Sequence, residues 1–485
     1  MKTVSRLAAA LALGCAAGAV SAHGPSDQSE RLAPWHEASE WPDRIVTTLE
    51  GDASRSLNVS WRTTGTVMQA RAEIALALPD ARFDQNATSV DAQTQVLSLA
   101  EVQHAGLTLA SEHNAGLSPS SHHSVRFEGL EPDTLYAYRV QGAEGKWSEW
   151  FQTRTAPQAG PLRFIYLGDA QNGLDSHWPR VIRAAFQTAP DARFILHAGD
   201  LVNRGSRDLE WAEWFRGAGF IHGMIPAVPV AGNHEYERLG VGGDERQKVL
   251  SFMWRPQFRL PEAPGLPDEL QETVYDLRYS QDLHVFVLNS NAEDMSVQAQ
   301  WLDEQLARSD ARWRVVSMHH PVYSSGRDRD NPRHREVLLP VLLKHNVDLV
   351  LQGHDHTYAR GTVPADPQAT GPQTPSRRGA TTEEGIAAMF VNSVSGPKQY
   401  KFSENGWDEY APTGVTLDRM GENTQFYQVI SIDGDELHYA AYTADGELYD
   451  DVRLSRSADG VKRITEALPP TRTFENTLPY SGVEN

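Results

Sequence analysis

Five short polar groups in this chain combine residue types that can hold a cation or move a proton. They are Gly168-Asp169, Gly199-Asp200, Gly232-Asn233-His234-Glu235, His319 two places ahead of Pro321, and Gly353-His354-Asp355-His356. Their carboxylates, amide and imidazoles are oxygen and nitrogen donors of the kind that bind divalent zinc, manganese or iron. Taken singly, each has a plainer reading. A Gly-Asp pair after a strand is commonly a turn, and two histidines two residues apart suit a solvated loop. On an extended backbone, however, residues i and i+2 face the same way, so His354 and His356 would point together while Asp355 points elsewhere. Five such groups in this order are not a set of independent turns.

The elements that must position them follow from periodicity. Apolar runs at 162–167, 193–197, 227–231, 284–288, 313–318, 348–351 and 389–394 read as strands. Amphipathic stretches near 178–186 and 298–308 read as helices. This alternation predicts an α/β domain over residues 162–454 with two mixed β-sheets flanked by helices. The polar groups stand where five of the strands stop, and side chains at the carboxyl ends of parallel strands converge on one crevice.

Residues 41–156 have a different texture, with short alternating runs broken by Gly, Pro and Asp. They predict an all-β sandwich. Within it, Gly129-Leu130-Glu131-Pro132-Asp133-Thr134-Leu135-Tyr136 resembles the fibronectin type III pattern, in which a corner tyrosine, here Tyr136, anchors a loop through its hydroxyl. His104, His113, His122 and His123 lie in or near this module without an accompanying carboxylate pattern, and packing or solvated roles are expected for them. Residues 155–161, with two prolines and a glycine, read as a joint between domains. The runs 425–433 and 436–443 around Gly434 predict a hairpin finishing the second sheet. Residues 364–384 read as a flap or insertion over the site, and 455–485 as an extended tail.

Met1, Lys2 and Arg6 precede an apolar run ending in Val20-Ser21-Ala22, which predicts a signal peptide over residues 1–22 and an exported protein, periplasmic or extracellular. No other stretch has the roughly 20 apolar residues of a membrane span. Cys15, the single cysteine, falls in the leader, so no disulfide, thiolate metal site or cysteine nucleophile is expected. With 44 basic and 64 acidic residues the chain carries a formal charge of −20, which argues against binding to nucleic acid or anionic membrane. No oligomeric state is legible.

The order GD, GD, GNHE, a histidine two places before proline, and GHDH resembles the calcineurin-like metallophosphoesterase superfamily. With the preceding sandwich it is similar to the purple acid phosphatase branch. The resemblance implies one metal on Asp169 and His356, another on Asn233, His319 and His354, and Asp200 bridging both. Tyr358 and Arg360 fit the family's closing motif in supporting roles. Two positions depart from the family. Asn203 stands three residues beyond Asp200, where the purple branch has a tyrosine, so iron(III) is less expected and the protein should not be purple. Gln171 stands where many relatives have a histidine, leaving Asn203, Gln171 or water to complete the first metal.

Two cations held roughly 3.5–4 Å apart by a shared carboxylate would acidify a water, orient phosphate oxygens and neutralise charge developing in an in-line displacement. Asp200 is the expected bridge, and His234 is expected to protonate the leaving alkoxide or stabilise the transferring phosphoryl group. Arg327, Arg329 and His334, in the polar loop beyond His320, are candidate contacts to a phosphate ester substrate. The expected activity is an acid-phosphatase-type phosphomonoesterase. A phosphodiesterase would use the same metals, and a binding protein with an inactive hydrolase domain is the reading from a different class.

Overall fold

The computed structural model describes residues 34–104, 107–110, 113–238, 248–365, 385–458 and 460–467. The leader expected at 1–22, most of the 364–384 segment and the end of the tail lie outside them. Contacts divide the chain into Met1–Glu37 and Ala38–Asn485, and the elements below belong to the second unit.

The sandwich is formed by two sheets. One contains Asp43–Thr48, Leu57–Thr64, Ser120–Phe127 and Gln93–Leu97; the other contains Phe151–Arg154, Leu135–Val140, Arg71–Leu76 and Thr88–Asp91. Alternation places Val59, Trp61, Val125 and Phe127 of the first against Ala72, Ile74, Tyr138 and Val140 of the second. The Glu131 N–H donates to the Tyr136 hydroxyl oxygen at 2.9 Å, the corner contact its sequence suggested. His122 and His123 are buried in the strand Ser120–Phe127. They hydrogen-bond Ser120, Thr63 and Thr94 and make no metal site.

The first sandwich sheet does not stop at the sandwich. Asp43–Thr48 runs parallel to Ala227–Pro229 through the Thr48 and Ala227 pair, giving one eleven-stranded sheet. Charge reinforces this seam. Asp208 accepts Arg44 at 2.8 Å and Arg62 at 3.2 Å, and Arg62 also holds Asp43 at 2.6 Å. Arg44, Arg62 and Asp208 are all buried, so none can lose its partners without leaving charge in a dry interface.

The α/β portion has its parallel strands Leu162–Leu167, Ile195–His197 and Ala227–Pro229 in that shared sheet. A second, seven-stranded sheet contains the parallel run Leu283–Val287, Trp313–Ser317, Leu349–Gln352 and Ile386–Asn392. The helix Trp178–Thr188 shows how the layers close. Trp178, Val181, Ile182 and Ala185 recur at helical spacing and are all buried, and Pro179 occupies the first turn where no amide partner is needed.

Two expectations are corrected. The hairpin Phe426–Asp433 and Glu436–Thr443 joins the first sheet, not the second, because Phe426–Asp433 pairs antiparallel with Leu162–Leu167. Composition cannot say which sheet edge a hairpin will cover. The supposed tail begins too early, since Leu448–Arg456 continues that sheet and Lys462–Glu466 forms its edge. Lys462 is buried and donates to the carbonyls of Asn346 and Val347, which ties the edge down.

Candidate metal centre

Each polar group stands just beyond its strand. Asp169 follows Leu162–Leu167, Asp200 follows Ile195–His197, Asn233 follows Ala227–Pro229, His319 follows Trp313–Ser317, and His354 and His356 follow Leu349–Gln352. The two sheets therefore meet at their carboxyl ends over one crevice. Gly353 permits the approach, because a Cβ there would lie 2.3 Å from Asp169 Oδ2. Gly199, at φ +89°, would bring a Cβ within 2.5 Å of His319 Nδ1.

All six side chains come together. Donor atoms of Asp200, His319 and His354 lie within 4.8 Å of one another, as do those of Asp169, Asp200 and His356. Asn233 Oδ1 stands 3.1 Å from His319 Nε2 and 2.9 Å from His354 Nδ1. Asp200 Oδ2 is 3.2 Å from His319 Nε2, and Asp169 Oδ1 is 3.4 Å from His356 Nε2. The expectation that His354 and His356 share an extended backbone is corrected, since they sit at φ +72° and +50°. Asp169 and Asp200 are also left-handed, at +45° and +49°. Such strain at four clustered donors persists only where the surroundings over-determine it. Asp355 does point away, accepting the Ser325 and Gly326 amides.

Outer contacts fix how the rings present themselves. His319 Nδ1 donates to the Ala198 carbonyl at 2.9 Å and His356 Nδ1 to the Lys398 carbonyl at 2.7 Å, leaving both Nε2 atoms turned inward. His319 Nε2 and His354 Nδ1 then face each other at 3.2 Å. The Gln171 amide reaches Asp200 Oδ2 and His356 Nε2, both at 2.9 Å, while its buried Oε1 has no hydrogen-bond partner. Imidazole nitrogens turned inward and an orphaned amide oxygen beside two buried carboxylates fit cations held by oxygen and nitrogen.

Charge points the same way. Burial, with the adjacent Asp200, pushes the Asp169 carboxyl well above its usual range. Burial opposes charge on His319, yet Asp200 and Asp169 pull it up to about 9. Burial holds His356 down to about 3 and His354 well below the ordinary imidazole value, so both offer neutral lone pairs.

Of the remaining expected residues, His234 lies beside Asp200, with Nε2 3.9 Å from its Oδ2. Its Nδ1 donates to the Asn203 backbone carbonyl at 2.6 Å, so Asn203 serves here through its backbone. Arg329 donates to the His354 carbonyl at 3.1 Å. His334 is one ring further out, 5.6 Å from His320, which lies 4.2 Å from His354. Arg327 does not join them, because it pairs with exposed Glu404 at 3.0 Å. Tyr358 and Arg360 are buried supports gathered on Asp450.

Sequence reasoning passed over Glu235, whose buried carboxylate accepts the amides of Asp200, Leu201, Val202 and Gly232. Its position directly after Asn233-His234 was the available signal. Lys398 and Tyr400, at the rim of the site, carried none.

Residues 162–358 match the model described as calcineurin-like phosphoesterase, and residues 42–155 match the purple acid phosphatase N-terminal domain. The chain thus carries a region similar to the calcineurin-like phosphoesterases, preceded by one similar to the N-terminal domain of purple acid phosphatases. It is 28% identical over 297 residues to purple acid phosphatase 21 of Arabidopsis thaliana, covering 58% of this chain and 63% of that one. It is 27% identical over 243 residues to probable purple acid phosphatase 20 of the same plant, covering 48% and 53%. The match thus spans between half and two thirds of these relatives' lengths. The fold of the purple acid phosphatase PPD1 from yellow lupin (Lupinus luteus) superposes with a TM-score of 0.66 at 18% identity, covering 87% of this chain and 75% of that one.

Proposed function

We propose that this protein is an exported phosphate ester hydrolase of acid-phosphatase type that acts on monoesters with two metal ions. The observation that carries the reading is Asp200, whose carboxylate belongs to both donor groups. In the proposed site Asp169, Asp200 and His356 would hold one divalent zinc, manganese or iron ion, with Gln171 available beside them. Asp200, Asn233, His319 and His354 would hold the other. When bound, the pair supplies the positive charge that orients phosphate and makes water a nucleophile.

The chain's own residues do the rest. With Nδ1–H fixed on the Asn203 carbonyl, His234 presents Nε2 beside the bridge, where it can deliver a proton to the departing alkoxide. His320 is set by Ser290, whose Oγ lies 2.9 Å from both its backbone N and its Nδ1, and its ring packs 4.2 Å from that of His354. Among the described residues no helix is long and apolar enough to cross a membrane. The leader-like residues 1–22 support export.

Asp200→Asn keeps the shape and removes the shared charge. It should lower kcat/KM on p-nitrophenyl phosphate by about a thousandfold, on the order of 4 kcal/mol, and reduce bound metal. Wild-type turnover should be faster on this monoester than on its bis ester. Unchanged metal content and turnover in the variant, or preference for the bis ester, would overturn the assignment.

A further inference from the structure

Around the Asp169 and His356 half of the centre the rim is cationic in a way the proposed hydrolysis of a simple ester does not require. Tyr400 packs on His356 with ring centroids 4.6 Å apart, and its amide donates to the His356 carbonyl at 3.2 Å. The Arg329 guanidinium lies 4.4 Å from the centroid of the Tyr400 ring and the Lys398 ammonium 5.5 Å from it. One aromatic ring therefore braces two cations beside a metal ligand.

Neither cation makes a close ion pair there. Among the described residues Lys398 has no carboxylate within ion-pair distance, and Arg329 reaches one only at 4.0 Å, at Oδ1 of buried Asp355, whose Oδ2 accepts the Ser325 and Gly326 amides. In a chain with 64 acidic and 44 basic residues, acids to pair them are plentiful. Arg44, Arg62, Arg126, Arg139 and Arg360 all have one within 3.4 Å. Lys398 and Arg329 are both half-buried, which strengthens their pull on an anion relative to fully exposed side chains.

Resting on the hydrolase reading above, we propose that Lys398 and Arg329, braced by Tyr400, form a subsite for a second anionic group carried by the substrate next to its scissile phosphate. A terminal phosphate of a diphosphate or a carboxylate close to the ester would fit, since an ammonium and a guanidinium both bind either oxygen cluster. These are specificity-determining residues, and His234, His320 and the six donors remain responsible for the phosphate that reacts.

Binding of inert ligands separates this from turnover. Metal-loaded protein is titrated calorimetrically with methylphosphonate, methylenediphosphonate and phosphonoacetate, with metal content checked after each run. Wild type should bind one or both of the two-anion ligands at least tenfold more tightly than methylphosphonate. A diphosphonate-only preference identifies a second phosphate as the partner, and preference for both identifies any adjacent anion. Lys398→Met should cut the preference several-fold, Lys398→Arg should restore most of it, and the Arg329→Met, Lys398→Met double variant should remove it. Should Arg329→Met disturb metal content through its bond to the His354 carbonyl, Lys398→Met decides at matched metal content, because among the described residues its ammonium makes no hydrogen bond or ion pair to a donor. A preference that survives in Lys398→Met, or that wild type lacks, overturns the subsite. If the preference behaves as expected but no phosphate ester is hydrolysed, the subsite stands and the hydrolase reading falls. Hydrolysis without the preference has the opposite meaning.

Discussion

Replacing Glu235 by glutamine tests whether the centre is organised from behind as well as by its donors. Burial and the Asp200 charge raise this carboxyl's proton affinity. Four N–H groups nevertheless point at it and nothing nearby accepts from it, which favours the ionised form. Oε2 accepts from Asp200 at 2.9 Å and Gly232 at 2.7 Å; Oε1 accepts from Leu201 at 2.9 Å and Val202 at 3.3 Å. A glutamine can keep only one oxygen, so either orientation sets an NH2 against two buried amides. At about 1–3 kcal/mol for each donor left unsatisfied, the loss should be roughly 2–6 kcal/mol, a large part of the roughly 5–15 kcal/mol that holds a domain folded. The stranded amides belong to the loops carrying Asp200 and Asn233, so both donor groups should loosen together. Urea unfolding of metal-free protein gives the stability, and metal analysis of protein purified in parallel gives the occupancy. A variant within 0.5 kcal/mol of wild type that retains its metal would refute the reasoning.

Purified protein should contain about two divalent ions per chain and show no band in the visible, because Asn203 replaces the tyrosine ligand; iron with a strong violet band would contradict this. Acid should destabilise the fold before it denatures the carboxylate network. Burial holds His197 and His122 down to about 3, the latter helped by Arg44 and Arg62, and burial holds His123 down to about 4, against an ordinary 6.5. These folded values are depressed, so as pH falls through 6.5 the unfolded chain takes up protons that the folded chain refuses. Stability is therefore full above about pH 7 and declines toward pH 4, with a slope approaching 1.4 kcal/mol per pH unit for each histidine. Urea midpoints at pH 7.5 and 5.0 measure the decline, and His197→Phe should shrink it; an unchanged difference would exclude His197 as a contributor.

The six donors were legible because they recur together, each just after an apolar run, and strand ends in such sheets are where ligands collect. Strand 162–167 was legible to the residue, since alternating sheet and helix patterns bracket it. Other features depend on pairing between distant segments. The edge strand Lys462–Glu466 contains Lys, Arg, Thr and Glu with a single large apolar residue, and only its ladder with Leu448–Arg456 makes it a strand. Arg327 and Arg329 look alike in sequence, yet Glu404 takes one and the His354 carbonyl takes the other. His354 and His356 converge through left-handed backbone turns, which a two-residue periodicity does not encode.

The parallel seam at Thr48 and Ala227 joins strands about 180 residues apart, and this has a bearing on how the chain is made. During synthesis the first β-strands emerge long before their neighbour exists, so a completed sandwich must wait with an open, hydrogen-bond-hungry border. Closing so long a loop is slow, and an unpaired border invites pairing with other chains. Arg44, without its carboxylate until Asp208 arrives, would keep that border charged in the interval, a built-in deterrent to premature association.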